Sequence, residues 1–237
     1  MGDFLTARWV NLILVTYRVP AGLLEKRLPP GCSLDRRAGD PRDAGYVSLV
    51  AFDFLDTRVL RIGWPGYRCF PEINLRYYVR HGNGRGVSFV REFVPRRVVA
   101  GMARWIYNEP YRAAGMSSET QSEDGALRIR HRLTWASREH TVTVAARNEP
   151  WRPERDSVEH FFKEHNWGFG TARNGELIRY EVVHPVWDVY PVTLLKLDWD
   201  WASVYGEEWG ILQNAEPFNV VLAKGSEVRV SPMAEPR

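Results

Sequence analysis

A β-rich α+β fold is what this 237-residue sequence predicts, and three observations predict it. Apolar runs of strand length recur along the whole chain, most bounded by Gly, Pro, Asp or Asn. Helical patterns are few and short. No internal repeat, low-complexity tract or Pro/Ser-rich linker divides the sequence, so a single domain over residues 1–237 is expected. With 44% hydrophobic and 26% charged residues, the chain can bury a sizeable core and lacks the signature of disorder.

The first strand is expected over Trp9–Tyr17 and the second over Tyr46–Leu55. Both are apolar on their two alternating faces, with Asn11, Thr16, Ser48 and Asp53 as the few polar interruptions, the pattern of a sheet covered on both sides or closed on itself. Between them Pro20 opens a helical pattern over Ala21–Leu28, and Asp40–Gly45 reads as a loop. In the third strand, Phe70–Arg80, Glu72, Asn74 and Arg76 share one face while Ile73, Leu75, Tyr77 and Val79 take the other. That polar face is either wet or the lining of a cavity. Strand Gly86–Val94 carries Arg91 and Glu92 side by side, so one of the two charges meets an apolar layer and must neutralise or find a partner; Glu72 or Arg76 is the partner expected. A helix follows Pro95 over Arg96–Tyr107. After a loop at Ser122–Gly125, strands are expected over Leu127–Trp135 and His140–Arg147. A helix over Ser157–Asn166, with Asp156 as N-cap, precedes strands Leu177–His184 and Glu227–Val230.

Composition excludes several function classes. The basic residues are 28 arginines and 4 lysines, and the net charge is +8 over residues 1–112 and −5 over the remainder. No helical basic run or aromatic RNP-type motif accompanies that charge, which argues against nucleic-acid binding. Trp9–Tyr17 is about half the length of a membrane-spanning helix, and Met1–Arg8 lacks a basic n-region, so no membrane segment and a cytoplasmic location are expected. Cys32 and Cys69 are too few for a disulfide framework and too distant for a zinc knuckle, and His160 and His165 do not share a helix face. No metal or cofactor is expected. Gly82–Gly86 joins two strands and reads as a hairpin turn, and no G-x-S-x-G elbow occurs. His81 and His131 lie within or beside Arg-rich strand faces and receive no role. The segment Trp187–Trp209, with its interleaved aspartates, either covers a cavity mouth or packs, within the core or as the seam of a homo-oligomer.

The succession Trp9-Val10-Asn11-Leu12, Tyr17-Arg18-Val19-Pro20, Leu28-Pro29-Pro30-Gly31, Tyr46-Val47-Ser48-Leu49-Val50, Phe70-Pro71-Glu72-Ile73-Asn74-Leu75-Arg76 and His184-Pro185-Val186-Trp187 resembles the YqjF-like family, DUF2071, over nearly the whole chain. That family is grouped with the acetoacetate decarboxylase-like superfamily. The resemblance implies a closed β-barrel with a few peripheral helices and a polar pocket for a small organic acid or carbonyl compound. In the decarboxylases an Arg-Glu strand is followed by a Pro-Lys-Lys segment that supplies a Schiff-base lysine. Here the matching stretch is Arg91-Glu92-Phe93-Val94-Pro95-Arg96-Arg97, with fewer intervening residues and no lysine. An imine-forming amine must be neutral part of the time, with a pKa of about 7 to 8, and a guanidinium is not. Lys26 and Lys163 lie in exposed-looking helical patterns, and Lys196 is the one tempting substitute.

The resemblance therefore implies a lyase, hydratase or isomerase working without an imine, or a non-catalytic binding protein on the same scaffold. Glu72 falls where the decarboxylases carry an active-site glutamate and is the candidate acid or base. Arg76, Arg96 and Arg97 are candidates for a ligand carboxylate; Arg8 lies near the decarboxylases' N-terminal arginine; Asn74, Arg91, Glu92 and His184 complete the candidate ligand set.

Overall fold

The computed structural model describes residues 3–97, 101 and 108–232. All eight predicted strands form, most of them longer than expected: β1 (Leu5–Pro20), β3 (Ala44–Val59), β4 (Phe70–His81), β5 (Gly84–Val94), β8 (Ala126–Trp135), β9 (Arg138–Arg147), β11 (Leu177–Val183) and β14 (Asn219–Val230). Six further strands are β2 (Ser33–Leu34), β6 (Tyr111–Ala113), β7 (Gly115–Glu123), β10 (Trp167–Thr171), β12 (Val189–Tyr190) and β13 (Val192–Asp198). Helices are short: α1 (Ala21–Glu25), α2 (Val158–Lys163), α3 (Trp201–Tyr205) and a 3-10 turn, η1 (Glu207–Leu212). The N-cap of α2 is Ser157, whose hydroxyl accepts from the His160 amide, and not Asp156. The helix expected over Arg96–Tyr107 lies largely outside the described residues.

One ten-stranded sheet runs β2-β4-β3-β1-β14-β11-β10-β5-β6, with β12 joined to β14 and β4 also paired to β5. The β4–β5 ladder is long, whereas β5–β10 and β11–β14 each rest on two residue pairs. A four-stranded sheet, β13-β9-β8-β7, lies beside it.

Both faces of the large sheet are buried, which accounts for the doubly apolar first strands. Ile13, Val15 and Tyr17 of β1 join Val47, Leu49 and Ala51 of β3 in a core shared with β8, β9, Trp199, Trp201 and Trp209. Leu12, Leu14, Val50, Phe52 and Phe54 face the other way, into a second core with Phe70, Tyr78, Phe162 and Trp187. The polar interruptions are satisfied locally: Thr16, Ser48 and Tyr78 form a hydroxyl chain with two 2.6 Å links, and Asn11 Nδ2 donates to Asp53 Oδ2 at 3.0 Å. Most of the tryptophan-rich stretch is thus consumed inside the chain; Trp199, Trp201 and Trp209 are fully buried and supply no subunit seam. No helix among the described residues is long and apolar enough to cross a membrane.

Candidate active site

The second core is hollow. A cavity of about 410 Å³ opens between β1, β3, β4, β5, β10 and β11, walled by aromatic side chains including Trp9, Phe52, Phe89, Trp167 and Trp187. The polar face of β4 is its lining: Glu72 and Asn74 are 4% and 3% exposed, and Arg76 reaches the same space. Strand alternation alone brings these three inward, with Tyr78 beyond them.

On β5 a register shift opposite Leu75 and Arg76 turns the strand by one residue. A bulge of this kind re-aims side chains. Phe89 and Glu92 both face the cavity as a result, while Arg91 points to the opposite side, donating to the Val204 carbonyl and lying over the Trp135 ring. Glu92, 1% exposed, is directly opposite Asn74 on β4 and opposite Tyr111 on β6. The expected pairing of Glu92 with Arg76 does not form; the groups acting on Glu92 are the Glu109 and Glu72 carboxyls and the Tyr111 hydroxyl.

Glu72, Glu92 and Glu109 converge at this end. Asn74 Nδ2 donates to Glu72 Oε1 at 3.0 Å, Tyr111 Oη to Glu72 Oε2 at 3.2 Å, and Tyr180 Oη to Glu109 Oε1 at 2.6 Å. Burial pushes the Glu72 carboxyl up to about 7, against the opposing pull of Asn74, Tyr111 and the Arg76 charge. Burial lifts Glu109 to about 8 against the Tyr180 hydrogen bond, and lifts Glu92 well above the carboxylate range with the added repulsion of Glu109 and Glu72.

A second polar group lies where α2 meets the cavity. Arg76 Nη2 donates to the Phe162 carbonyl at 3.0 Å, which ties β4 to the helix. The next residue, Lys163, is 1% exposed, lines the cavity and has its ammonium against Glu164 Oε1. Burial lowers its pKa, with Glu164 opposing. The expectation of an exposed helical lysine is therefore overturned: Phe161 and Phe162 dock α2 against the aromatic core, and the lysine is carried in with them. The same Glu164 oxygen accepts the Trp187 amide at 3.3 Å, and His184 stacks on Trp187 at 3.9 Å between ring centroids. His165 is buried beside them with Nε2 2.8 Å from Asp35 Oδ2, and burial drives it down to about 4.

Of the residues singled out in the sequence, Glu72, Asn74, Arg76, Glu92 and His184 share this cavity. Arg8 does not: it is exposed on β1, and its neighbour Trp9 takes the inward position. Arg91 is used on the far side of the sheet, and Arg96 and Arg97 are exposed and absent from the wall. Sequence reasoning missed Glu109, Tyr111, Tyr180, Lys163 and His165 as members of one constellation.

A DUF2071 family model, described as an uncharacterized conserved protein, matches residues 6–227. The uncharacterized protein YqjF of Bacillus subtilis (strain 168) is 26% identical over 184 residues, 74% of this chain and 70% of that protein. Among solved structures, an acetoacetate decarboxylase-like enzyme from Sphingomonas wittichii RW1 is similar with a TM-score of 0.67 at 12% identity, over 100% of this chain and 94% of that one. Acetoacetate decarboxylase from Legionella pneumophila gives 0.62 at 15% identity, over 99% and 86%. The enduracididine biosynthesis enzyme MppR, complexed with pyruvate, gives 0.62 at 14% identity, over 97% and 88%. At these identities the likeness establishes the β-rich, acetoacetate decarboxylase-like fold.

Proposed function

The chain belongs to the DUF2071 family, on an acetoacetate decarboxylase-like fold, and from that premise we propose that its cavity takes a small organic acid or carbonyl compound and acts on it by proton transfer through Glu72. The observation that carries this reading is the Glu72 carboxyl, buried in an aromatic-walled cavity with its pKa raised to about 7. A group poised there exchanges protons in both directions near neutrality, as a lyase, hydratase or isomerase requires. Arg76, on the same strand face, is the cation for a ligand carboxylate or polarised carbonyl. In this reading residues 1–237 act as one domain and the large sheet is a closed barrel, because β4 pairs with both β3 and β5.

Glu72→Gln keeps one of the two oxygens that accept from Asn74 and Tyr111, replaces the other with an amide nitrogen and removes the exchangeable proton. Ligand affinity is expected to stay within about threefold while turnover falls by about a hundredfold or more. Equal turnover by the variant overturns the role of Glu72; a tight ligand that the wild type never converts favours the binding-protein reading instead.

Lys163 favours a second reading. Its amine is buried at the cavity wall with a lowered pKa, so it can add to a carbonyl with loss of water, giving an imine that borohydride reduces to a stable secondary amine. Incubation with 2-oxo and 3-oxo acids and borohydride, followed by mass spectrometry, separates the two. Acid–base chemistry without an imine leaves the mass unchanged; an adduct mapped to Lys163 replaces it with the imine route.

A further inference from the structure

The carboxyl end of the cavity keeps polar atoms unpaired although side-chain donors and the carboxyls' own protons are present there. Tyr111 and Asn74 donate to Glu72, Tyr180 donates to Glu109, and Glu92 and Glu109 share a hydrogen bond. Two acceptors are left over, Glu92 Oε1 and Asn74 Oδ1, both buried and without a partner among the described residues. They are neighbours, because Asn74 and Glu92 are paired directly across β4 and β5 and directly opposed side chains on one face lie about 5 Å apart. Glu109 and Glu72 repel the Glu92 charge, Tyr111 hydrogen-bonds to it, and the Arg76 charge pulls on Glu72. Aromatic rings, among them Trp9, Phe52, Phe89 and Tyr111, form the remaining wall.

We propose that this end binds a cationic nitrogen of the ligand, a protonated amine or a planar amidine-type group, seated on Glu92 Oε1 and Asn74 Oδ1 between aromatic faces. This rests on the reading of the cavity as the ligand site, and it narrows the substrate class to an organic acid or carbonyl compound that also carries such a nitrogen. Three carboxyls in contact cannot all ionise cheaply, and an entering cation relieves both their mutual repulsion and the orphaned acceptors. Aromatic walls add cation–π attraction in a desolvated site. A ligand anion gains none of this at the carboxyl end and is left to Arg76, so a molecule with both groups spans the pocket in one orientation.

Four probes with a common aryl body test it: phenethylamine, 2-phenylethanol, phenylacetate and phenylpyruvate, titrated calorimetrically near neutral pH in two buffers of different ionisation enthalpy. Phenethylamine is expected to bind on the order of tenfold tighter than 2-phenylethanol and to release about one proton, since the cluster gives up a proton to meet the cation. Glu92→Gln is expected to remove most of that preference. The wild-type series stands by itself should that variant fail to fold. Binding of phenylacetate or phenylpyruvate without any preference for the amine overturns the cationic subsite and leaves the cavity reading intact. No binding by any of the four overturns both.

Discussion

Raising the pH from about 6.5 to about 9 is expected to cost the folded protein on the order of a few kcal/mol, with most of the loss traceable to Glu72, Glu92 and Glu109. An unfolded glutamate ionises near 4.5, whereas Glu72 and Glu109 hold their protons in the fold to about 7 and about 8, and burial beside Glu109 and Glu72 raises Glu92 well above its ordinary value. Between those limits the native state binds more protons than the unfolded chain, so stability falls as pH rises. The contribution is complete below the unfolded value and lost once the pH passes the folded ones. His165 works in the opposite sense at lower pH: burial lowers it from 6.5 to about 4, so its contribution grows as pH rises through that interval and flattens the profile there. Lys163, also lowered, adds an opposing rise toward the ordinary lysine range. The clean readout is therefore a difference. Glu109→Gln keeps an oxygen for the Tyr180 hydroxyl and removes one buried acid. Urea denaturation at stepped pH should give this variant a shallower decline than the wild type and greater stability above about pH 8. Parallel profiles for the two proteins would mean that the cluster is hydrated and titrates normally.

The parts of this architecture that were legible in the sequence are those encoded by strand periodicity. Glu72, Asn74 and Arg76 share a face by alternation alone, and the doubly apolar β1 and β3 required cover on both sides; what remained open was whether the polar face met solvent or a cavity. Non-local contacts decide that. Glu109 lies in Asn108-Glu109-Pro110, a stretch without periodicity, and is brought to Glu92 because β6 pairs in parallel with β5 through Glu92 and Tyr111. Lys163 sits among Glu159, His160 and Glu164, a composition that reads as a wet helix surface. The opposing signal was Phe161-Phe162, two adjacent rings that a six-residue helix cannot bury without carrying its next side chain inward. Arg91 failed because β5 carries a register shift, and a shift of one residue exchanges the faces of every later side chain, which charge pattern alone could not reveal. Arg8 rested on the resemblance alone, and its neighbour Trp9 takes the inward place. β7 was missed because its Ser, Glu, Thr and Gln residues belong to an edge strand that buries little.

Gly225→Ala is expected to damage the β1–β14 seam next to Trp9 and Leu12 of the cavity wall, and a matched control separates its causes. Gly225 has φ +76° and pairs with Val10 where β14 crosses the irregularity in β1; a Cβ there would stand 2.0 Å from the Trp9 carbonyl oxygen and 2.7 Å from Leu12 Cδ1. The Trp9 oxygen is backbone and yields only if β1 itself moves, while Leu12 of the second core borders the cavity and can shift its side chain. The left-handed Asn11 between them is held by hydrogen bonds to Asp53 and Thr120. Gly66 has nearly the same backbone, φ +77°, with nothing within 4 Å of its added Cβ. Gly66→Ala thus reports the left-handed strain alone, about 1 kcal/mol, while Gly225→Ala adds displacement of the β1 backbone, about 3 kcal/mol or more in all. For a chain of this length the difference corresponds to a melting temperature lower by roughly 5 °C or more for Gly225→Ala than for Gly66→Ala. The displaced residue carries the Trp9 ring, packed 4.9 Å from Phe52 on the cavity wall, so ligand-induced quenching of tryptophan fluorescence should weaken in Gly225→Ala and persist in Gly66→Ala. Equal melting temperatures in the two variants would show that β1 and β14 separate easily at this point, and a wall that yields there could not hold Trp9 against a ligand.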